Sequence, residues 1–326
     1  MPKDFRELLC FNVHMCHDLC MASTHTTPLA DVDLRLLRVF NAIVQANGFS
    51  AAEEALGMSQ ATISVHMRNL EERLGLRLCE RGRGGFFLTE AGRQVHSAML
   101  DLFGSLQRFN GAVADARGEL TGDLSFGTVD AMATNGQLNL DRAIGLFSAR
   151  APRVRLSIDI AAPQDLARGL FTGRYQVALM PIDQPLAKME SVELFNERQN
   201  LYCGRGHPLF EIPDLDLTHD LLAAQPFAGR SYMAEGERCG IPFDRRAVTA
   251  HMEGTLLLLL SGAYVGFLPD HFAAPYETAG RLRALSPERA TFNDVFQIVY
   301  PRNQPTRVIE LLVDAIVASR QVQIGV

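Results

Sequence analysis

The chain has 326 residues, 47% hydrophobic and 21% charged, with a formal net charge of −6 at pH 7. That is more apolar chain than one small domain uses, so a second, larger domain is expected. The acidic balance excludes a general nucleic-acid coat protein, and any attraction to phosphate must be local.

Residues 1–30 carry Cys10, Cys16 and Cys20 with His14 and His17, at a spacing that matches no common zinc pattern. They are expected to form an unstructured leader, with Met21 as an alternative first residue, and no metal or cofactor is expected anywhere in the chain. No secretory signal fits the short, interrupted apolar run, and the leucine-rich stretch at 256–268 is too short to span a bilayer. A cytoplasmic protein without a membrane partner is expected.

Leu34–Gln45 has a continuous apolar face of Leu36, Leu37, Phe40, Ile43 and Val44 and reads as a helix. Phe49–Arg68 then reads as two short helices joined by a tight turn, the shape of a helix-turn-helix. Ala52, Ala55 and Leu56 on the first helix and Ile63, Met67 and Leu70 on the second would pack it, while Gly57 supplies the turn and Ser59 the cap. Gln60, Ala61, Thr62, Ser64, Val65 and Arg68 remain on the outside, groups that read base edges and phosphates, with Ser50 and Ser59 beside them. Two candidate strands, Arg77–Arg81 and Phe86–Thr89, flank Arg83, Gly84 and Gly85 and make a wing with Arg81 or Arg83 on it. Arg68, Arg73, Arg77, Arg81, Arg83 and Arg93 concentrate cations over this stretch.

From Asp33 to Gly92 the chain resembles the N-terminal domain of LysR-type transcriptional regulators. The most specific pieces are Ser59-Gln60, Ser64, Leu70-Glu71-Glu72-x-Leu74-Gly75, Glu80-Arg81 and Leu88-Thr89-x-Ala91-Gly92. The resemblance implies a recognition helix in the major groove and a wing arginine in the minor groove. The chain departs from the pattern at Glu53, where a second alanine is usual, and at Ala61 and Cys79, where proline and phenylalanine are common. A buried carboxylate is costly unless paired, so Glu53 is expected to turn outward or meet an arginine.

Val95, Met99, Leu102, Leu106, Phe109 and Val113 follow a heptad seam. With the resemblance, this implies a linker helix that pairs subunits into a homodimer or homotetramer on a partly palindromic double-stranded DNA operator. RNA polymerase is the further partner that the resemblance implies.

Beyond Ala116–Gly122, short apolar strands alternate with helices and argue a largely parallel α/β domain. It looks like the periplasmic-binding-protein-like effector domain of the same family, with an unidentified small-molecule effector between its lobes. The fold expected is therefore α+β and multidomain: a winged helix-turn-helix over 31–92, a dimerising linker helix over 93–117, and a two-lobed domain over 123–326. Lobe I takes about 123–195 and 292–326, lobe II about 196–291. Strand ends and helix N-termini nominate Asp130, Ala131, Met132, Ala133, Thr134, Pro163, Gln164 and Met180 from lobe I, and Arg230, Ser231 and Tyr232 from lobe II, as effector contacts.

Three other classes are weighed against this reading. Cys203 and Cys239 would suit a redox- or peroxide-responsive regulator of the same fold. No Ser-His-Asp or metal-ligand set is legible by spacing, so an enzyme is not expected. A solute-binding protein without DNA activity is opposed by the first ninety residues.

Overall fold

The computed structural model describes residues 30–82, 85–302 and 305–320. The leader with its three cysteines, and Arg83 at the wing tip, lie outside the described residues, as does the Arg81 side chain. The chain divides into two compact units after Met99.

The first unit comprises α1 (Asp31–Gln45), α2 (Ala52–Leu56), α3 (Gln60–Leu74), β1 (Cys79–Gly82), β2 (Gly85–Leu88) and the start of α4 (Glu90–Ala116). The apolar face of α1 buries Leu36, Leu37, Phe40 and Ile43 in a core shared with Ala52 of α2 and Ile63, Met67 and Leu70 of α3. Ala55, expected in that core, is exposed instead, because α2 makes too few turns to bury both faces. Gly57 ends α2 in the left-handed conformation, φ 60°, and Ser59 Oγ accepts the Thr62 N–H at 3.3 Å to start α3.

The strands begin later than the sequence pattern suggests, at Cys79 rather than Arg77. The chain at Arg77 and Leu78 is held elsewhere: Glu71 Oε1 accepts the Leu78 N–H at 2.7 Å, and Thr89 Oγ1 donates to the Arg77 carbonyl at 2.6 Å. Thr89 also caps α4 by accepting the Gly92 N–H at 2.9 Å. Gly92 lies so close to the chain that a Cβ there would stand 1.9 Å from the Leu78 carbonyl oxygen.

The second unit continues through β3 (Thr121–Thr128), α5 (Leu140–Arg150), β4 (Arg153–Ile160), α6 (Pro163–Phe171), β5 (Val177–Pro181) and the long β6 (Met189–Gly204). It goes on through α7 (His219–Ala223), β7 (Pro226–Arg230), α8 (Glu235–Cys239), β8 (Asp244–Thr249), α9 (Met252–Leu260), β9 (Val265–Pro269), α10 (Asp270–Thr278) and β10 (Leu282–Ala284). It returns by β11 (Thr291–Pro301) and ends in α11 (Arg307–Ser319).

All of these strands join one sheet in the order β4-β3-β5-β11-β6-β9-β7-β8, with β10 added on β6. The sheet is mixed rather than largely parallel. The flanks β4-β3-β5 and β9-β7-β8 are parallel, but β6 and β11 run antiparallel to each other, because the chain enters lobe II along one and leaves along the other. In lobe I, the sheet packs against α5, α6 and α11 around Phe126, Phe147, Leu179, Ile298 and Leu312. In lobe II, successive β6 residues feed opposite faces: Leu201 and Cys203 join Phe227 and Phe267, and Tyr202 joins Leu256 and Leu259.

Gly92→Ala is expected to destabilise the first unit by roughly 1–3 kcal/mol, since the added methyl meets backbone that has no room to yield. Hydrogen exchange checks this: the Thr89 amide, bonded to the Leu78 carbonyl at 3.0 Å, exchanges faster while the β7–β9 amides keep the parent rate.

Candidate DNA interface and effector cleft

The outer face of α3 presents Gln60, Ala61, Thr62, Val65 and Arg68 as exposed side chains, with Ser64 half-buried and Ser50 and Ser59 exposed alongside. Val65 is 49% exposed, whereas Ile63 and Met67, two residues to either side and so on the inner face, are buried. The hydroxyls of Ser59 and Thr62 lie 3.0 Å apart, so both serve the cap as well as the surface.

Glu53 takes neither of the expected courses. Its Oε1 accepts the backbone N–H of Gln60 at 2.5 Å, so the carboxylate sits on the N-terminus of α3. That end of a helix carries unsatisfied N–H groups and a partial positive charge, which offsets the cost of partial burial.

Two of the six arginines serve the fold. Arg73 pairs with Asp33, its Nη2 2.7 Å from Oδ2, and ties the end of α3 to the start of α1. The hydrogen bond from Arg73, helped by the Ala30 N–H, holds the Asp33 carboxyl below the usual carboxylate range. Arg93 is bound to Glu90 and to the Leu88 carbonyl. Arg68 is exposed on the outer face of α3.

In the second unit, a narrow cleft with a cavity volume of about 20 Å³ lies where the lobes meet beside β6 and β11. Asp130, Pro163, Arg230 and Tyr232 line it, together with Glu197, Gln199, Met252 and Asp294, which the sequence did not nominate. Arg230 is 3% exposed; its Nη2 donates to Gln199 Oε1 at 2.6 Å, and its Nε has no hydrogen-bond partner. Burial raises the carboxyls of Glu197 and Asp294 above the carboxylate range and pushes the Tyr232 hydroxyl up to about 12.

Hydrogen bonds cross from lobe to lobe beside the cleft, two of them through residues that the sequence nominated. Asp130 Oδ2 accepts the Met252 N–H at the start of α9, at 2.5 Å. Thr134 Oγ1 lies 2.9 Å from His271 Nδ1, and His271 Nε2 lies 2.8 Å from Glu197 Oε1. Thr134 therefore faces its partner lobe rather than the open cleft.

The remaining nominated residues are placed otherwise. Met132 and Met180 are buried in the lobe I core, where β-strand alternation or local turn geometry aims them inward. Ala131, in the left-handed conformation at φ 62°, packs on the Tyr202 cluster of lobe II. Ala133 and Gln164 are exposed. Ser231 is also exposed, and its N–H donates to the Thr249 carbonyl.

A second cavity lies against the end of α4, lined by Asn110, Tyr175 and Thr306. Its charged residues Arg117, Glu119 and Asp123 are exposed, so it lacks the converging buried charges of the cleft. Cys203 is buried, its thiol pushed up to about 12, and burial raises Cys239 as well. Thiols held protonated are poor nucleophiles, which opposes the peroxide-responsive alternative for this pair. Among the described residues, no group of three or more His, Cys, Asp or Glu is arranged to hold a metal ion, and no helix is long and apolar enough to cross a membrane.

A three-helix unit with a polar outer face and a wing, followed by two lobes around a charged cleft, defines a class: DNA-binding regulators that answer to a small molecule. The family profile described as "Bacterial regulatory helix-turn-helix protein, lysR family" matches residues 34–93, and "LysR substrate binding domain" matches 117–321. The chain belongs to the LysR family of transcriptional regulators, sequence-specific DNA-binding proteins modulated by a small-molecule effector. It is 37% identical to the HTH-type transcriptional activator BauR of Pseudomonas aeruginosa, over 89% of this chain and 96% of that one. It is 26% identical to the HTH-type transcriptional regulator CbbR of Xanthobacter flavus, over 78% of each. Its fold is similar to that of full-length CbnR in complex with target DNA, with a TM-score of 0.58 at 21% identity, covering 88% of this chain and 99% of that one.

The Asp33–Arg73 pair has a pH signature. Its folded carboxyl is held below the unfolded value near 3.8, so its stabilisation is complete above that value and is lost as pH falls through the lower, folded one. Asp33→Asn is expected to lower stability at pH 7, with a deficit that holds down to about pH 5 and narrows below about pH 4 in urea titrations.

Proposed function

We propose that α3 enters the major groove and reads the operator through Gln60, Ala61, Thr62, Ser64 and Val65, with Arg68 and Ser50 on the phosphate backbone and the wing arginines Arg81 and Arg83 at the minor groove. The observation that carries this is the division of α3: one face is buried in the three-helix core and the other offers amide, hydroxyl, methyl and guanidinium groups to a partner. Ser59 contributes by capping the helix that makes the contacts. Glu53 places a negative charge at the same helix end, so binding leans on direct readout more than on a phosphate held at that N-terminus.

The regulator works as a homodimer or homotetramer, joined through the seam of α4, on which Phe109 is 66% exposed and Val113 36%. Residues 31–92 form the DNA-binding domain, 93–117 the dimerising linker, and 123–326 the effector domain. Its place is the cytoplasm, where its operator lies, and RNA polymerase is the machinery whose access it sets. The effector occupies the cleft lined by Asp130, Arg230 and Tyr232. Closure makes the Asp130–Met252 and Thr134–His271 bonds and opening breaks them, which gives the cleft two states for a ligand to choose between. By linkage, an effector that changes DNA affinity has its own affinity changed by the same factor when DNA binds.

The test is fluorescence anisotropy on operator and random duplexes across a salt series, the operator first located by footprinting. Gln60→Ala and Ser64→Ala are expected to lower the specific-to-random ratio by about 1–3 kcal/mol each. Arg68→Ala is expected to weaken both duplexes together and to flatten the salt slope by about 0.9. Undiminished operator selectivity in the Gln60 and Ser64 variants would move the reading surface away from α3.

A further inference from the structure

The antiparallel register of the two crossing strands sets Glu197 directly opposite Asp294. Both are buried, 2% and 3% exposed, and both line the cleft. Directly opposed like charges are unfavourable on a sheet, and burial compounds the cost by removing water. Asp130 adds a third carboxylate to the same wall.

The neighbouring cations only partly answer this charge. Arg238 Nη1 reaches Asp294 Oδ1 at 3.0 Å but is shared with Asp183 at 3.7 Å, and the Arg230 Nη1 is 3.9 Å from Asp294 Oδ2. Glu197 has His271 on one oxygen and the Gln199 amide, at 2.6 Å, on the other. An ammonium group is what this wall lacks. On the other side, Arg230 is spent unevenly: Nη2 serves Gln199 and the Phe267 carbonyl, Nη1 meets the Met233 sulfur at 3.6 Å, and the buried Nε has no acceptor. A buried guanidinium donor without an acceptor is costly and is best answered by a carboxylate.

A plain carboxylic acid would set another acid beside Glu197, Asp294 and Asp130, and a plain amine would leave the Arg230 Nε unanswered. Val129, Pro163 and Phe296 make the rest of the wall apolar, and the space left between the lobes, about 20 Å³, holds little more than a water, so a ligand enters as the lobes part and only a short one is enclosed. We infer that the effector is a short zwitterionic amino acid, its ammonium held between Glu197 and Asp294 and its carboxylate on Arg230 Nε. The inference rests on the reading above that the cleft is the effector site.

Calorimetric titration of the full chain tests it, with short straight-chain amino acids carrying the amine either on the α-carbon or at the chain end. The matching carboxylic acids, dicarboxylic acids and amines complete the panel. At least one amino acid is expected to bind, and to bind at least about tenfold tighter than its acid or its amine. Glu197→Gln and Asp294→Asn are each expected to weaken it about tenfold or more while circular dichroism stays at the parent signal. Arg230→Gln is expected to do the same, and to remove most of the preference for the amino acid over the amine.

Tight binding of a carboxylic or dicarboxylic acid, lost in Arg230→Gln and kept in Glu197→Gln, would overturn the amino-acid class and leave the cleft as the effector site. Amino-acid binding that survives all three substitutions would overturn the cleft assignment itself. No binding by any amino acid of the panel would overturn the class.

Discussion

The effector unit depends on one pairing: β6 and β11, antiparallel, running from one lobe into the other with a single register shift between Phe296 and Gln297. Everything on either side is hung on these two strands. Lobe I adds the parallel set that ends in β4, and lobe II adds β9, β7 and β8. Because side chains alternate along a strand, the same two strands supply apolar residues to three cores and polar residues to the cleft between them. A hinge made of paired backbone can flex without exposing those cores. That is the mechanical property a two-state effector domain needs.

The DNA-binding unit answers a different constraint. Its recognition helix has to be held rigidly while its outer face stays polar and unspent. The structure meets this by tying down the ends of α3 with charge: Glu53 and Ser59 at the N-terminus, Asp33 through Arg73 and the Glu71 carboxylate at the other end. Two residues that look like DNA contacts by charge alone are therefore structural. Arg73 and Arg93 are held by acidic partners within the unit.

The cleft shows how much function is carried by groups far apart in sequence. The bonds from Thr134 to His271, His271 to Glu197, Glu197 to Gln199 and Gln199 to Arg230 run from lobe I through a crossing strand into lobe II. On the proposed reading of the cleft, a ligand that touches one end of such a chain biases the closure that the other end reports. Buried and under-compensated charge is the energetic reserve behind that bias.

The sequence by itself determined the family and the three-helix unit, because their signals are local. Helical periodicity marks Leu36 to Ile43 and Ile63 to Leu70, and Gly57 and Ser59 mark the turn and cap between α2 and α3 through their own backbone and hydroxyl chemistry. Asp130 and Arg230 were legible as strand-end residues, but Met180 was drawn to the same rule and points into the core instead. Only the tertiary structure decided the partner of Glu53, the duty of Arg73, and the meeting of Glu197 with Asp294 across ninety-odd residues of intervening chain. Mid-strand residues such as Glu197 and Gln199 carry no local mark of function. Their significance comes from the register of β6 against β11, which the rest of the chain sets by folding lobe II between them.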